Sequence, residues 1–237
     1  MKGLIKKILK EELLTEASGT FTKDMAVELT TNVLAYPESN TKKTYDYLGV
    51  VKGETAVGRL HFTTSGLDLL YKNMGDNLTE KYFDGRSVSD LRNFSEQKDG
   101  KEYKHEWFMD GMKEFLDSSD SIPVQDETIY QKFSKKFGRE KYGNVTSKWS
   151  TPREFAIGMA AQNSANACLL RGRNADWDAE ELMKDYCKGR DNGGCPNTGG
   201  CRSRCRNIND FYPAPPGQEG YVWTKEEYSK YFSLPNF

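Results

Sequence analysis

The chain has 237 residues, somewhat more than one average domain needs and enough to bury a substantial core. Its 34 basic and 35 acidic residues leave a formal net charge of -1, so no global field draws it toward nucleic acid or anionic lipid. An aromatic content of 12% argues against disorder, and no apolar run approaches the roughly 20 residues that cross a bilayer.

The N-terminus starts basic, as a signal peptide does, but Lys6, Lys7, Lys10, Glu11 and Glu12 interrupt any apolar stretch. Export by a standard signal is therefore not expected. Leu4, Ile5, Ile8, Leu9, Leu13 and Leu14 instead form a stripe, which predicts an amphipathic helix over 1–18. Such a helix packs on the body or docks a protein partner. A polar link follows, then a helix over 23–35 with Ala26, Leu29, Thr30 and Val33 on one face, stopped or kinked by Pro37. Residues 45–64 have β character: Tyr45, Tyr47, Val50 and Val51, then Thr55, Val57, Leu60 and Phe62, with a turn near Gly53. Thr64 or Ser65 is the expected cap of the next helix, whose apolar residues are Leu67, Leu70, Tyr71 and Met74.

From there the pattern is helical as far as the cysteines. Residues 102–116 carry Trp107, Phe108, Met112, Phe115 and Leu116, and 123–137 carry Ile129, Tyr130, Phe133 and Phe137. Thr151-Pro152-Arg153-Glu154 reads as a helix start, with threonine as cap, proline at the first helical position and glutamate closing a capping box. The helix it opens, to about residue 170, is rich in Ala and Gly and nearly uncharged after Glu154, which suits a buried position. Another helix is expected over 176–186, an irregular Gly- and Pro-rich stretch over 187–216, and a short last helix capped at Thr224. The aromatic and methionine stripes on these helices read as core.

A helix, a glutamate just past its end, a short hairpin and a Thr-Ser-Gly turn into another helix have a chemical logic together. Cleaving a glycosidic bond needs a carboxylic acid beside the leaving oxygen and a second carboxylate that activates water or stabilises the oxocarbenium-like state. Glu38, beside Tyr36, is placed for the acid against an apolar wall. The hairpin offers Glu54 and Asp46 for the second carboxylate. The residues that form this order are Tyr36-Pro37-Glu38-Ser39-Asn40, Tyr45-Asp46-Tyr47, Gly53-Glu54-Thr55-Ala56-Val57-Gly58 and His61-Phe62-Thr63-Thr64-Ser65-Gly66-Leu67-Asp68.

This run, residues 26–70, resembles the catalytic segment of family 46 chitosanases and, more loosely, of phage-type lysozymes. In those chitosanases a helix ends at Ala-Glu-Asn-Ser, followed by Tyr-x-Tyr, Gly-x-Thr-Ala-Gly and Phe-x-(Ser/Thr)-Gly-Thr-Gly-Asp. The resemblance covers about 45 of 237 residues. It implies a lysozyme-like α+β fold, mainly α, with helices around a small β-hairpin. It implies Glu38 as general acid, Thr55 as the residue that positions the attacking water, Asp68 as a substrate-binding carboxylate, and Tyr45 and Tyr47 as hairpin tyrosines. His61 stands near the place where phage-type lysozymes carry a hairpin histidine. The family's catalytic aspartate belongs to an Asp-Gly-Arg-Gly turn before the threonine. Here Val50-Val51-Lys52-Gly53 stands there without it, so Glu54 or Asp46 supplies the base, or one acid works alone, or catalysis is lost.

Cys187, Cys195, Cys201 and Cys205 lie close together among glycines, and Cys168 stands apart as an ordinary buried thiol. Four cysteines in a loop too polar to make its own core imply a staple, either a structural four-thiolate zinc or two disulfides. No cofactor is expected for catalysis. Lys184, Lys188, Arg190, Arg202, Arg204 and Arg206 make the cluster basic, a solvated loop or a contact for an anionic polymer. The expected organisation is an N-terminal helix over 1–18, a lysozyme-like catalytic domain over 19–186, and a Cys-rich loop with a terminal helix over 187–237 packed on the same domain. The expected activity is hydrolysis of a β-1,4-linked amino-sugar polymer, peptidoglycan before chitosan. The source that fits is a phage lysin or virion-associated enzyme, made in the cytoplasm and released by lysis. The alternatives are an inactive structural or glycan-binding protein of the same fold, and a zinc-stapled nucleic-acid-binding protein, against which the balanced charge argues.

Overall fold

The computed structural model describes residues 21–34, 44–51, 53–137, 149–163, 178–188 and 199–214. Outside them lie the helix expected over 1–18, Glu38 with Pro37, Cys168, Cys195 and the helix expected from Thr224. The described residues are mainly helical, with one two-stranded antiparallel sheet. The chain divides into two compact units. A hairpin unit comprises Thr22–Thr30 and Asn40–Lys135, and a disulfide unit comprises Met1–Phe21, Thr31–Ser39 and Lys136–Phe237.

In the hairpin unit, α1 (Lys23–Leu29) starts at Thr22, whose side chain accepts the Met25 N–H at 3.2 Å. Ala26 and Leu29 are buried, as the stripe requires. The chain continues as a π-helical turn, Thr30–Leu34, of which Thr31 onward belongs to the disulfide unit. Strands β1 (Leu48–Val51) and β2 (Glu54–Val57) pair from Leu48↔Val57 to Val51↔Glu54. Gly53 sits in the connection with φ +83, the left-handed conformation that a two-residue hairpin turn needs.

Helix α2 (Thr64–Tyr82) has Thr63 at its N-cap position, one residue before the expected Thr64 and without a side-chain capping hydrogen bond, and is broken at Gly75, where φ is 68. Leu67, Leu70, Tyr71 and Met74 face the core as their spacing dictates. Helix α3 (Val88–Lys98) opens on a capping box between Ser87 and Asp90 and packs against α2. A 3-10 turn (Glu102–Lys104) leads into α4 (Glu106–Asp117) and then α5 (Ser121–Phe137). Phe83, Phe108 and Phe115 are fully buried, each contributing about 1.5–3 kcal/mol by the area it removes from water. Gly111 lets α4 approach the end of α2, because a Cβ there would collide with the Tyr82 carbonyl oxygen.

In the disulfide unit, α6 (Pro152–Asn163) begins as the sequence predicts. The Glu154 carboxylate accepts the backbone N–H groups of Ser150 and Thr151 at 2.7 and 2.8 Å, and Thr151 Oγ1 accepts that of Glu154 at 3.3 Å. Helices α7 (Ala179–Lys188) and α8 (Gly199–Phe211) pack with α6. The stretch expected to be irregular over 187–216 therefore contains a 13-residue helix. Its buried Cys205, Ile208 and Tyr212 recur at helical spacing beneath the glycines and arginines that hide the pattern.

Two devices hold this unit together. Cys187 of α7 and Cys205 of α8 form a disulfide. Arg153, 4% exposed, gives a two-pronged ion pair to Glu180 and donates to Asn209 Oδ1 at 3.2 Å and to the Tyr212 carbonyl at 2.6 Å. One guanidinium thus ties α6 to α7, α8 and the residue after α8.

Candidate functional site

Of the residues singled out from sequence, those that follow Glu38 up to Asp68 fall in the hairpin unit, and the hairpin separates its own into two groups. At its open end stand Tyr45, Tyr47 and His61. The Tyr45 hydroxyl donates to Asp126 at 2.6 Å, and the Arg59 guanidinium lies 4.6 Å from the centre of the Tyr45 ring. Burial pushes the Tyr45 phenol up to about 12; the Asp126 contact adds to this and Arg59 opposes it. The Tyr47 and His61 rings are stacked with centroids 4.0 Å apart.

Gln125, fully buried on α5, organises this end. Its amide nitrogen donates to the Tyr45 carbonyl at 2.8 Å and to Ser121 Oγ at 2.7 Å, and its oxygen accepts the Arg59 N–H at 2.9 Å. Gly58 permits the approach: its φ is +65, and a Cβ would strike the Gln125 amide oxygen. Beyond Gly58 the chain takes left-handed conformations at His61, φ 49, and Thr64, φ 33, without glycine at either position.

The expectation for Asp46 changes with the strand boundary. Tyr45 and Asp46 form a turn and β1 begins only at Leu48, so strand alternation does not orient Asp46; it is exposed beside the tyrosines. Leu60 and Phe62 likewise fall after β2, in the turn that follows it and at an isolated bridge between Phe62 and Val57.

The closed end of the hairpin carries Glu54 and Thr55. Glu54 is half-buried and rests against the backbone of Gly100, where a Cβ would come within 2.8 Å of its Cγ. Thr55 is fully buried. Its N–H and its hydroxyl both donate to the Gly100 carbonyl, at 2.7 and 3.2 Å, and its oxygen accepts the Tyr103 N–H at 2.8 Å. One strand residue thus holds the turn between α3 and α4 with three hydrogen bonds.

That turn carries Glu102, which sequence reasoning missed. Glu102 is 0% exposed, and neither carboxyl oxygen has a hydrogen-bond partner. Nearby, the buried Tyr71 hydroxyl pairs with Ser95 Oγ at 3.1 Å. Burial pushes the Tyr71 phenol strongly up, against the Ser95 hydrogen bond, and the charges of Glu102 and Asp68 push the same way.

Asp68, in the second turn of α2, is already engaged. It accepts from Arg92 of α3 and from Lys72 at 2.8 Å. Burial pushes its carboxyl up, but the two cations outweigh that and hold it below the ordinary carboxylate range. The structure therefore gathers Tyr45, Tyr47, Asp46 and His61 at one end and Glu54 and Thr55 at the other, with Asp68 near Tyr71. Glu38 is not among the described residues.

Gln125 was legible only as part of a pattern. Its signal was the polar series Ser121, Gln125 and Thr128, which recurs at helical spacing on the buried face of α5. Glu102 gave none, because an acid in a first helical turn is ordinary for solvated helices.

Of the four clustered cysteines, Cys187 and Cys205 are bonded to each other and are not thiolate ligands in that state. Cys195 and the side chain of Cys201 lie outside the description. Among the described residues no group of three or more His, Cys, Asp or Glu side chains is arranged to hold a metal ion, and no helix is long and apolar enough to cross a membrane. No protein family, curated protein or solved structure matches the chain.

Proposed function

We propose that the chain cleaves a β-1,4-linked amino-sugar polymer, peptidoglycan before chitosan, on a lysozyme-like fold with Glu38 as the general acid. One observation carries the reading: the order of helix, glutamate, hairpin and a helix that opens at the Thr63-Thr64-Ser65-Gly66 turn. Along the chain, helix α1 precedes Glu38, and the pair β1–β2 and then helix α2 follow it, which supports the reading at the level of element order.

In this mechanism Glu38 passes its proton to the leaving glycosidic oxygen while a second carboxylate draws a proton from the attacking water. In an inverting pair the two carboxyl groups stand roughly 6.5–9.5 Å apart, leaving room for that water. On the hairpin, Glu54 and Asp46 are the carboxylates to be weighed. Asp46 has the greater exposure, and Glu54 adjoins Thr55. The aromatic side chains at the open end suit a sugar-binding face, apolar in body and polar at the tip.

A second reading is a glycan-binding protein without turnover, and Thr55 favours it. Its hydroxyl hydrogen goes to Gly100 and one lone pair to Tyr103, so it is committed to holding a turn rather than offered to a water molecule. Release of reducing ends from purified peptidoglycan and from chitosan separates the two. Turnover on either polymer supports hydrolysis, whereas binding without turnover selects the second reading. The zinc-stapled nucleic-acid module is disfavoured, because two of its four sulfurs are joined in the Cys187–Cys205 bond.

A further inference from the structure

The two edges of the hairpin are treated differently. In an antiparallel pair, residues opposite one another turn their N–H and C=O groups alternately toward the partner strand and away from it. The Thr55 N–H donates to the Gly100 carbonyl, and Val57 exchanges both of its backbone groups with Phe62, so Thr55 and Val57 face away from β1. Those partners close the outer edge of β2. The register sets Val50 opposite Thr55 and Leu48 opposite Val57. Leu48 and Val50 therefore turn their own N–H and C=O groups outward as well, to the edge of β1, where no hydrogen bond reaches them from the described residues.

A bare strand edge is a template for another strand, and natural proteins blunt such edges with charge, proline or a bulge. Leu48-Gly49-Val50-Val51 carries no charge and no proline, and its register with β2 runs without a bulge. Val50 lies on the same face as the fully buried Thr55, yet it is 48% exposed. An added strand would cover it and satisfy the backbone groups beside it. The bare groups stand symmetrically about Gly49, so the strand is complementary to itself. Set antiparallel to a second copy, Leu48 meets Val50 of that copy, Gly49 meets Gly49, and each outward N–H finds a carbonyl. No charge stands on the strand, so the pairing opposes no like charges.

We infer that β1 is a dimerisation edge: two copies of the chain pair antiparallel through Leu48 and Val50, joining their hairpins into one four-stranded sheet. Leu48 donates to and accepts from Val50 of the second copy, and Val50 does the same with its Leu48. The arrangement is two-fold, the commonest symmetry of identical chains. It also stops at two copies. The outer groups of β2 are held by Gly100 and Phe62, so the sheet does not extend from that side into a fibre. The inference stands on backbone groups and one exposed side chain, and it is independent of the glycan-cleaving reading.

The test uses the full chain over a range of concentrations. Sedimentation velocity reads the mass, and hydrogen exchange reads the Leu48 and Val50 amides. With rising concentration the mass should climb from 27.0 kDa toward twice that value. Exchange at Leu48 and Val50 should slow in step, while the Thr55 amide stays protected throughout. Val50→Pro removes an N–H that faces away from β2, so it spares the hairpin ladder and strikes half of the bonds between copies. It should raise the dissociation constant at least ~10-fold and leave the melting temperature of the monomer unchanged. If proline lowers that melting temperature, Val50→Lys decides, because it keeps the backbone donor and sets a charge on the edge; it should weaken pairing likewise. A chain that stays monomeric up to about 1 mM overturns the inference. A dimer indifferent to both variants overturns it too, since the copies then meet elsewhere. Protection of the Leu48 and Val50 amides at the mass of a single chain also overturns it, because the chain itself or a small bound peptide then covers the edge.

Discussion

Arg153 in the disulfide unit and Glu102 in the hairpin unit are both deeply buried, and the two are treated in opposite ways. Arg153 in the disulfide unit is 4% exposed and is met by a carboxylate, an amide oxygen and a backbone carbonyl. Glu102 in the hairpin unit is 0% exposed and is met by nothing. A saturated buried ion fixes three helices in one arrangement, and its value is structural. An unsaturated one stabilises no arrangement, and it costs the fold the desolvation of its carboxyl group. The same contrast extends outward. The disulfide unit adds a covalent bond to its ion pair. The hairpin unit leans on hydrogen bonds from single side chains, Thr55 and Gln125, at the two ends of a four-residue ladder.

The sharpest way to break the contrast is to empty the saturated site. Arg153→Met should destabilise the disulfide unit by about 3 kcal/mol, at the lower end for a broken buried pair because Glu180 retains some contact with water. Chemical denaturation followed by a probe in that unit measures it. A loss under about 1 kcal/mol would mean the pair is ornamental. The disulfide comes next. Its sequence separation of 18 predicts a stabilisation of about 3 kcal/mol through the unfolded chain. A reductant, or Cys187→Ala with Cys205→Ala, should lower the melting temperature, and EDTA should not. Sensitivity to EDTA alone would point back to zinc.

In the hairpin unit a smaller effect is expected from Gln125→Leu. It leaves the Tyr45 carbonyl and the Arg59 N–H without their partner, at about 1–3 kcal/mol. It should also raise hydrogen exchange at Arg59 while leaving Tyr103 protected, since Thr55 guards the other end. Loss of protection at both ends together would show one cooperative hairpin rather than two separately fastened ends.

The smallest effect belongs to Asp68. Its carboxyl is held below the ordinary range by Arg92 and Lys72, so it stabilises the fold above the unfolded-state value. That contribution fades as pH falls through the carboxylate range and below. The cluster is more than a third exposed, which limits it to under ~1 kcal/mol. Asp68→Asn should therefore differ slightly from the unaltered chain at neutral pH and converge with it in acid. A difference that persists in acid would assign Asp68 some role other than ion pairing.

What the sequence disclosed follows from which forces leave a periodic mark. Stripes such as Phe108, Met112 and Phe115, and the Thr151–Glu154 box, are local and repeat with the helix, so they were legible. The hairpin was legible from its β-branched residues and Gly53, but its start was not. Tyr45 and Tyr47 carry high strand propensity, yet Tyr45 is held by Asp126 and Gln125, and Tyr47 by stacking on His61 and a backbone bond from Gly58. Helix α8 was hidden because Gly199, Gly200 and the surrounding arginines masked a buried stripe. Glu102 could not be found at all, since its burial is set by residues about 30 and 47 positions away, Tyr71 and Thr55, and neither leaves a spacing to read.

The central claim is hydrolysis led by Glu38, and the most direct test is reducing-end release from purified peptidoglycan and from chitosan by the unaltered chain and by Glu38→Gln, with melting curves alongside. The account predicts release by the unaltered chain. It predicts a fall of at least ~100-fold in the variant at an unchanged melting temperature, because only the transferable proton is lost. Release by Glu38→Gln within about threefold of the unaltered chain, or no release by the unaltered chain on either polymer, would contradict it.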